Sequence, residues 1–187
     1  MANVTLNVIL VGVERFTAED RRKVNEALRI MRTIYLSIGL HFSIDRFKMP
    51  VAQCRGLMMT PITDADAEAI TQRVAGPDGT IDMFVVRQMV GGAGVTKVDG
   101  PCNKRRSKRM TGVVVALTDL SFTDNDARRG TVFAHEVGHY LGLDHCPCGD
   151  PACNDNLMRG GGCSTNSNTA ITAQQAVVLM SHCAVTP

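Results

Sequence analysis

Three of the five histidines in this 187-residue chain lie within eleven residues, in a segment that reads HEVGHYLGLDH from position 135 to 145. On a helix, His135 and His139 are four residues apart and project from the same face, close enough to share one metal ion. Gly142 can adopt backbone angles that are closed to other residues, so the helix can end there and the chain can turn back. The spacing therefore predicts that His145 reaches the same ion.

Three imidazole ligands leave one coordination position open, and an open position is typical of a catalytic rather than a structural zinc site. Zinc lowers the pKa of a bound water from about 16 to about 7 and polarises a substrate carbonyl. Glu136 lies one step around the helix, where its carboxylate can take the proton of that water and later pass it to a leaving amine. The pattern predicts zinc-dependent peptide hydrolysis, with His135, His139 and His145 as metal ligands and Glu136 as the general base.

Hydrophobic periodicity predicts the elements that must hold these residues. The apolar run at 4–13 predicts a central strand covered on both faces, and the three- and four-residue spacing of apolar residues at 17–39 predicts a long amphipathic helix. A second long helix is predicted at 125–141, and a last helix begins at the capping box of Thr172 and Gln175. Further strands are predicted at 40–47, 81–87, 91–96 and 112–117, with a short helix at 63–74. This order favours an α/β fold with an antiparallel edge strand.

The segment HEVGHYLGLDH resembles the H-E-x-x-H-x-x-G-x-x-H signature of the metzincin metallopeptidases and matches it at all five defining positions. The order of the predicted elements before it is also similar to the metzincin N-terminal subdomain. The resemblance implies one catalytic domain, 1–187, with an N-terminal subdomain at 1–142 and an irregular C-terminal subdomain at 143–187. It implies a metzincin-like (zincin) fold: a twisted five-stranded mixed sheet with an antiparallel edge strand, two long helices, a Met-turn and a final helix.

The resemblance implies roles for residues outside the signature. Metzincins carry a methionine turn beneath the zinc, and Met158, thirteen residues after His145, takes that place. Some metzincins have a tyrosine two residues after this methionine, but here the position is Gly160, so more of the carbonyl polarisation would fall to zinc. The metzincin edge strand pairs with an extended peptide substrate. That role would fall to four residues of a glycine-rich segment, for which an ordinary loop is the alternative: Gly92, Ala93, Gly94 and Val95.

Within the metzincins, the sequence is most similar to the pappalysin type. The similarity lies in HEVGHYLGL, in the preceding IDMFVVRQMVGGAGVT, and in the Cys-rich stretch with Asp150 and Asp155 before the methionine. Archaemetzincins are the alternative subfamily, because they also place a cysteine directly after the third histidine, as Cys146 is here, although their next cysteine and their methionine come sooner. Two other functions stay open: a zinc-binding interaction module without proteolytic activity, which the intact Glu136 argues against, and a narrow peptidase of a single substrate.

The chain has seven cysteines, and an odd number leaves at least one without a partner within the monomer. Four of them lie within eighteen residues: Cys146, Cys148, Cys153 and Cys163. Two disulfides that pin this long loop are the first interpretation, followed by a second zinc held by four thiolates, and then by reduced thiols. The other three cysteines would form one pair and leave one cysteine unpaired: Cys54, Cys102 and Cys183.

Other charged and histidine residues have ordinary interpretations. The densest run of charge consists of five basic side chains: Lys104, Arg105, Arg106, Lys108 and Arg109. We expect a solvated loop there, and the functional alternative is a preference for acidic side chains in the substrate. Several aspartates could contribute to a calcium site, but their spacing favours turn and capping roles: Asp119, Asp124, Asp126, Asp150 and Asp155. His41 and His182 are expected to be ordinary core or surface residues.

Composition limits the partners. The 20 Lys and Arg residues against 18 Asp and Glu residues leave a net charge of +2, and only 4% of residues are aromatic, which argues against nucleic acid. The longest apolar runs fall short of the ~20 residues that span a bilayer, so no membrane association is expected. We expect a monomer acting on protein or peptide substrates. The cysteine count favours a secreted, extracellular location, although no signal peptide is visible.

Overall fold

The computed structural model describes residues 1–54, 60, 63–104, 110–119, 125–160 and 168–187. Its strands are β1 (Asn3–Val11), β2 (His41–Met49), β3 (Ile81–Met89), β4 (Gly94–Val95), β5 (Val113–Asp119) and β6 (Val185–Thr186). Its helices are α1 (Ala18–Leu36), α2 (Asp64–Arg73), α3 (Asp126–Tyr140) and α4 (Ala173–Ser181). None of the described helices combines the length and the apolar character needed to cross a membrane.

The strands form one mixed sheet. Their order is β2-β1-β3-β5-β4, and the first four of these strands pair in parallel. β4 lies at one edge and pairs antiparallel with β5, where Gly94 lies opposite Val115 and Val95 opposite Val114. The predicted α/β fold with an antiparallel edge strand is therefore confirmed. The sequence patterns did not predict β6, which adds a short antiparallel pairing at the start of β1.

Both faces of β1, β3 and β5 are buried, as their continuous apolar runs predict, whereas most residues of the edge strand β2 are exposed. On one face, strand side chains such as Leu6 and Met83 pack in the core that also contains α1 and α3. The alternate side chains, among them Phe84 and Val114, point to the other face and form a second core with Ile70 of α2. The two-sided burial follows from parallel strands whose connections cross the faces of the sheet as helices.

Local signals determine where α1 begins and ends, and one buried contact joins it to α3. The side chain of Thr17 forms a capping box with Asp20 at the start of α1. Gly39 follows the helix with a φ of 77°, in the left-handed region that favours glycine. The buried hydroxyl of Tyr35 donates a hydrogen bond to the carbonyl oxygen of Ala134 over 2.8 Å. α1 therefore helps to fix the position of the helix that carries the first two histidines of the signature.

A buried ion pair ties the chain after β4 to the sheet. Nζ of Lys104 lies 2.8 Å from Oδ2 of Asp82, and neither side chain is exposed to solvent. Asn7 and the backbone N–H of Gly76 donate hydrogen bonds to the two carboxylate oxygens, each over 2.7 Å. The prediction that Lys104 lies in a solvated loop is wrong, because a carboxylate 22 positions away in sequence folds against it. The rest of that basic run, 105–109, lies outside the described residues.

Cysteines of the long loop form disulfides. Cys146 is bonded to Cys153, and Cys148 is also disulfide-bonded. Because Cys146 and Cys153 are bonded to each other, they cannot hold a second zinc as part of a four-thiolate site. The disulfide interpretation is therefore confirmed for this loop, while the predicted role of Cys163 lies outside the described residues.

The remaining cysteines form a pair plus one left over, as predicted. Cys102 is bonded to Cys183, which is 81 positions further along the chain. This bond joins the segment after β4 to the segment between α4 and β6. Cys54 is a buried free cysteine, and burial raises the pKa of its thiol, which favours the neutral form.

Candidate metal centre

α3 presents two of the predicted ligands on one face. The side chain of Asn125 accepts a hydrogen bond from a backbone N–H of the first turn and so caps the start of the helix. His135 and His139 follow one turn apart, with 4.7 Å between their ring centroids. Gly142 then has a φ of 99°, which lets the chain reverse where the sequence predicts a turn. The reversed chain carries His145 back to the two helical rings.

The three imidazoles converge through their Nε2 atoms. The Nε2 atom of His139 lies 3.1 Å from that of His135 and 3.0 Å from that of His145. The third side of this triangle, from His135 to His145, measures 3.2 Å. Nitrogens bound at 2.0–2.1 Å to a tetrahedral zinc lie about 3.3 Å apart. The three donor atoms therefore surround a volume close to that of one ion.

Backbone carbonyls fix the protonation of two of the rings. Nδ1 of His135 lies 2.8 Å from the carbonyl oxygen of Leu157, and Nδ1 of His139 lies 2.7 Å from that of Leu143. A carbonyl oxygen only accepts hydrogen bonds, so each Nδ1 carries the proton and each Nε2 presents its lone pair to the centre. Burial lowers the pKa of His135 to about 4 and lowers that of His139 as well, so both rings are neutral at neutral pH.

This donor set fits a bound zinc ion. The lone pairs on Nε2 of His135 and His139 face each other at 3.1 Å, and neither nitrogen has a proton that could form a hydrogen bond between them. A cation between the lone pairs would be coordinated by them and would remove their mutual repulsion. A histidine that binds zinc is usually a neutral imidazole whose Nδ1–H donates a hydrogen bond to a backbone carbonyl. Three such nitrogens leave the fourth position of a tetrahedral ion to solvent or substrate.

Glu136 lines the same cleft as His135 and His145, and only 7% of its surface is exposed. Burial raises the pKa of its carboxyl to about 8, and the nearby side chain of Thr96 acts in the opposite direction. A cation held by the three histidines would also lower this pKa and so favour the carboxylate form that a general base needs. Gly94 of β4 lies directly against this carboxyl: a Cβ atom added there would be 2.5 Å from Cγ and 2.8 Å from Oε1 of Glu136. A glycine is therefore required at position 94 for the edge strand to pass over Glu136 without displacing it.

Of the four residues proposed to bind substrate, the structure brings two to the cleft. Ala93 and Gly94 line it, and the carbonyl oxygen of Ala93 accepts a hydrogen bond from the N–H of Ala116 over 2.8 Å. Gly92 is not among the lining residues, and Val95 packs instead against the core on the second face of the sheet. The edge region therefore contributes Ala93, which precedes β4, and Gly94, the first residue of β4, to the lining of the cleft.

Met158 is fully buried beneath α3. Its Sδ atom would lie 2.7 Å from a Cβ added to Gly138, the residue of α3 that directly precedes His139. Its carbonyl oxygen accepts a hydrogen bond from the N–H of Cys146 over 2.7 Å, next to the third histidine.

Gly160 lies against the ring of His145, since a Cβ added to Gly160 would be 2.6 Å from Cγ of His145. Position 160 therefore has no space for the tyrosine that some metzincins carry.

Asn156 and Gln175 support the centre in a way that the sequence patterns did not reveal. The buried Asn156 donates a hydrogen bond to Oε1 of Gln175 over 2.8 Å, and its Oδ1 accepts one from Nε2 of Gln175 over 3.0 Å. The same Oδ1 accepts the N–H of Met158 over 2.8 Å. This pair connects the first turn of α4 to the segment whose Leu157 carbonyl orients His135. An asparagine two residues before the methionine was the only sequence signal, and it is too common to interpret alone.

A second group of metal-ligand residue types consists of Cys102, His182 and Cys183. It lies near the C-terminal end of α3, where the ring centroids of Tyr140 and His182 are 5.8 Å apart. The two cysteines are bonded to each other. Nε2 of His182 lies 3.1 Å from the carbonyl oxygen of Gly100, and its Nδ1 accepts the N–H of Ala184 over 3.2 Å. Both ring nitrogens are therefore occupied, and His182 is an ordinary buried residue, as predicted.

Two of the aspartates considered for calcium have other roles. Asp126 forms ion pairs with Arg22 and Arg129 near the start of α3. Asp150 caps a short 3-10 turn by accepting the N–H of Ala152 over 2.9 Å. Asp124 lies outside the described residues. Within the described part of the chain, the groups of three or more possible ligands include no aspartate.

The chain has a mixed α/β fold with an antiparallel edge strand, a helix that carries two histidines, and a third histidine after a glycine turn. This combination defines a metallopeptidase of the zincin class. The family model described as "Metallo-peptidase family M12B Reprolysin-like" matches residues 23–146. The chain belongs to this family. The match confirms the metzincin-type metallopeptidase that the sequence resembles, and it does not extend to the pappalysin or archaemetzincin subfamily.

The fold is similar to that in the crystal structure of metalloproteinase-II from Bacteroides fragilis, with a TM-score of 0.63 and 13% sequence identity. The likeness covers 96% of this chain and 52% of that one, so this chain spans about half the length of that protein. At 13% identity, the similarity confirms the fold but gives no information about the substrates of this chain. No curated protein matches the chain in sequence.

Proposed function

We propose that this chain is a zinc-dependent endopeptidase acting on protein or peptide substrates, with one catalytic domain whose subdomains are 1–142 and 143–187. The observation that carries the proposal is the convergence of three Nε2 atoms, 3.0 to 3.2 Å apart, beside a buried carboxyl group in a cleft. His135, His139 and His145 would hold the zinc, and Glu136 would act as the general base. Membership of a metallopeptidase family supports the reaction class.

Each residue of the centre has a distinct chemical role in this proposal. Zinc bound by the three imidazoles supplies a Lewis acid that polarises a carbonyl and lowers the pKa of a water to about 7. Glu136 takes a proton from water as the carbonyl is attacked and then donates it to the leaving amine. Gly94 and α3 enclose the Glu136 side chain, which keeps its carboxyl oriented toward the cleft. The carbonyls of Leu157 and Leu143 keep the first two rings in the tautomer that binds metal.

The edge strand supplies a place for an extended substrate. β4 pairs with β5 on one side only, and it is the last strand in the order of the described sheet. An unpaired strand edge can add an extended peptide through main-chain hydrogen bonds, whatever the peptide's side chains are. Ala93 and Gly94 belong both to this edge region and to the cleft lining. A substrate strand laid there would pass directly over Glu136, which favours cleavage within a chain.

At the level of the subfamily, we keep the pappalysin-type assignment as part of the proposal. It is supported by the segment HEVGHYLGL and by the disulfide-bonded loop between the third histidine and the methionine, where Cys146 is bonded to Cys153. Archaemetzincins remain the alternative, since they share the cysteine that directly follows the third histidine. The position of Met158 after a long loop favours the pappalysin type over this alternative.

Digestion of a broad peptide mixture by protein of measured metal content tests the function. We expect about one zinc per chain, cleavage at internal peptide bonds, complete loss of activity with phenanthroline, and recovery when zinc is added back. Mass spectrometry of the products identifies the cleaved bonds. A folded, zinc-loaded chain that cleaves no peptide in the mixture would reject a broad endopeptidase and favour the interaction module or the peptidase of a single substrate.

Substitution of Gly94 by alanine tests the close approach of the edge strand to Glu136. The new Cβ would be 2.5 Å from Cγ of Glu136, so the carboxyl or the strand must move. A displacement of about 1 Å in a catalytic group can lower turnover ~10²-fold, and we expect kcat to fall on that scale with zinc content unchanged.

Gly149→Ala is the matched control, because nothing lies within 4 Å of a Cβ added at that exposed loop position. We expect Gly149→Ala to keep the kcat of the native chain. A Gly94→Ala variant with full kcat would mean that Glu136 does not need the position that the structure gives it.

A further inference from the structure

Two neighbouring cavities lie between α1 and the edge strand β2, at the opposite edge of the sheet from β4. One has a volume of about 280 Å³ and the other a volume of about 210 Å³. Asn25 of α1 and Arg46 of β2 line both cavities, which therefore form one continuous groove, here called the β2 groove. Among the described residues, this groove shares no lining residue with the cleft of the candidate metal centre. It is a concave surface that the proposed reaction does not use.

The floor of the β2 groove is apolar. Leu28 of α1 and Phe42 of β2 are buried in the core between the helices and the sheet, and the partly buried Ile44 packs against the same core. Two large apolar side chains that line the groove remain in solvent: Leu36 is 55% exposed and Phe47 is 48% exposed. A bound partner would remove their apolar surface from water, which favours binding.

The lining of the β2 groove carries unneutralised positive charge. Three of its exposed cations have no ion pair and no side-chain hydrogen bond within the described residues: Arg32, Arg46 and Lys48. Arg29 also lines the groove, but it forms an ion pair with Glu26 over 2.7 Å. No carboxylate is among the described residues that line either cavity. The groove is therefore complementary in charge to an acidic partner.

The backbone of β2 is also available for binding. All nine residues of β2 pair with β1, and no strand of the described sheet lies on its other side. The outer N–H and C=O groups of such an edge can pair with an added strand along about 30 Å.

The charge on β2 selects between the strands that could add there. The one carboxylate of β2 belongs to Asp45, which alternates to the face opposite Ile44, Arg46 and Lys48. The face toward α1 thus carries charge of one sign. A second copy of β2 would bring the same positive charges to this face, whereas an acidic strand would neutralise them.

We propose that the β2 groove binds an extended acidic segment of another protein, which adds to the free edge of β2 and pairs its carboxylates with Arg32, Arg46 and Lys48. Apolar side chains of the same segment would pack on Phe42 and Ile44 at the floor of the groove. A sulfated polysaccharide would use the cations but neither the apolar floor nor the strand edge, so a polypeptide fits better. Four strand spacings, about 19 Å, separate β2 from β4, and the proposal does not depend on the proposed peptidase function.

Fluorescence anisotropy with labelled, amidated peptides of the length of β2 tests this binding. Each peptide has Thr at alternate positions, so that its other face carries two Leu side chains and two side chains of Glu, Gln or Lys. Each is made with the Leu pair first and with the Leu pair last, because a strand can add in either direction. We expect one Glu peptide to bind with a Kd at least about tenfold lower than that of its Gln counterpart at about 0.1 M salt. Mass spectrometry after each titration establishes that the peptide is intact.

Backbone methylation tests the addition of a strand. In an extended peptide, the N–H groups of alternate residues point to the same edge, so methylation of the Thr amides blocks one edge and methylation of the other amides blocks the opposite edge. Only one edge of the peptide can pair with β2. We expect one methylated peptide to lose about tenfold or more in affinity and the other to bind like the parent. Equal affinities for the two would reject strand addition.

Variants connect the binding to the groove. Arg32→Gln, Arg46→Gln and Lys48→Gln should each reduce the ratio of the affinities for the Glu and Gln peptides several-fold, while the affinity for the Gln peptide changes little. Arg46→Glu should shift the preference toward the Lys peptide. Arg73→Gln is the matched control, because Arg73 is exposed on α2, which packs on the other face of the sheet, and it should leave the ratio unchanged. Thermal unfolding of each variant establishes that it is folded.

Several results would overturn the proposal. Equal affinities for the Glu and Gln peptides, or a ratio that the triple variant retains, would reject it and leave the charges of β2 as protection of a free edge. Binding of heparin that requires the same cations, without binding of any peptide, would reject it in favour of a polysaccharide. A concentration-dependent dimer in sedimentation that the Glu peptide does not dissociate would assign the edge to a second copy. Loss of peptide hydrolysis would bear on the proposed function alone, since binding is measured without turnover.

Discussion

Replacement of Glu136 by glutamine is expected to reduce the kcat for peptide hydrolysis by about 10²–10⁴-fold, the usual contribution of a general acid–base group. Glutamine has nearly the same shape and fits the enclosure that Gly94 and α3 form around this side chain. Its amide cannot accept the proton of an attacking water. Because the three Nε2 donors come from other residues, zinc content should remain about one per chain.

The His145→Ala variant is the control for Glu136→Gln, because it should lose metal as well as activity. Removal of the third imidazole should lower both the zinc content and the hydrolysis rate, since two nitrogens on one helix face hold zinc less tightly than three. Peptide hydrolysis at a fixed substrate concentration and metal analysis of the same samples distinguish the two variants. A Glu136→Gln variant that retains the kcat of the native chain would remove Glu136 from the mechanism, whatever its metal content.

The largest effect on stability is expected from Lys104→Met. This substitution leaves the carboxylate of Asp82 fully buried, hydrogen-bonded to Asn7 and to the N–H of Gly76 but without its counter-ion. Removal of one partner of a buried ion pair costs about 3–5 kcal/mol. We expect the free energy of unfolding to fall by this amount, measured by denaturant titration at a fixed zinc concentration with the disulfides intact.

An exposed ion pair on the same protein provides the control. Nζ of Lys97 lies 3.1 Å from Oδ2 of Asp64, but both side chains are more than half exposed, so Lys97→Met should cost less than about 1 kcal/mol. The double variant of Asp82→Asn with Lys104→Met should be more stable than Lys104→Met alone, because the amide carries no unpaired charge. Equal losses for Lys97→Met and Lys104→Met would show that burial of the Asp82 ion pair contributes nothing.

Features with a local cause could be predicted from the sequence. Two histidines four residues apart share a helix face by geometry, and a glycine after the helix permits the reversal that the φ of 99° at Gly142 provides. The strands with continuous apolar runs are buried on both faces for the same kind of reason. The convergence of His135, His139 and His145 could therefore be predicted from little more than these short-range rules.

Features that depend on tertiary contacts could not be predicted. Lys104 is followed by four further basic residues within five positions, a pattern typical of a solvated loop, and only the folded sheet places Asp82 beside it. The Asn156–Gln175 pair joins residues 19 positions apart through two amide hydrogen bonds, which no periodicity encodes. The contact of Gly94 with Glu136 also depends on how closely the edge strand approaches the helix, which a glycine-rich segment alone does not determine.

The bond between Cys102 and Cys183 closes a covalent ring that contains α3, the candidate metal centre and α4. A single break of the backbone anywhere inside that ring, including one made by another copy of this chain, leaves the two resulting fragments tethered to each other. In the chain-entropy model, a closure of this length also makes the unfolded state less favourable by roughly 4–5 kcal/mol. Limited autolysis would therefore leave the walls of the cleft joined, and the fragments would separate only after the disulfide is reduced as well.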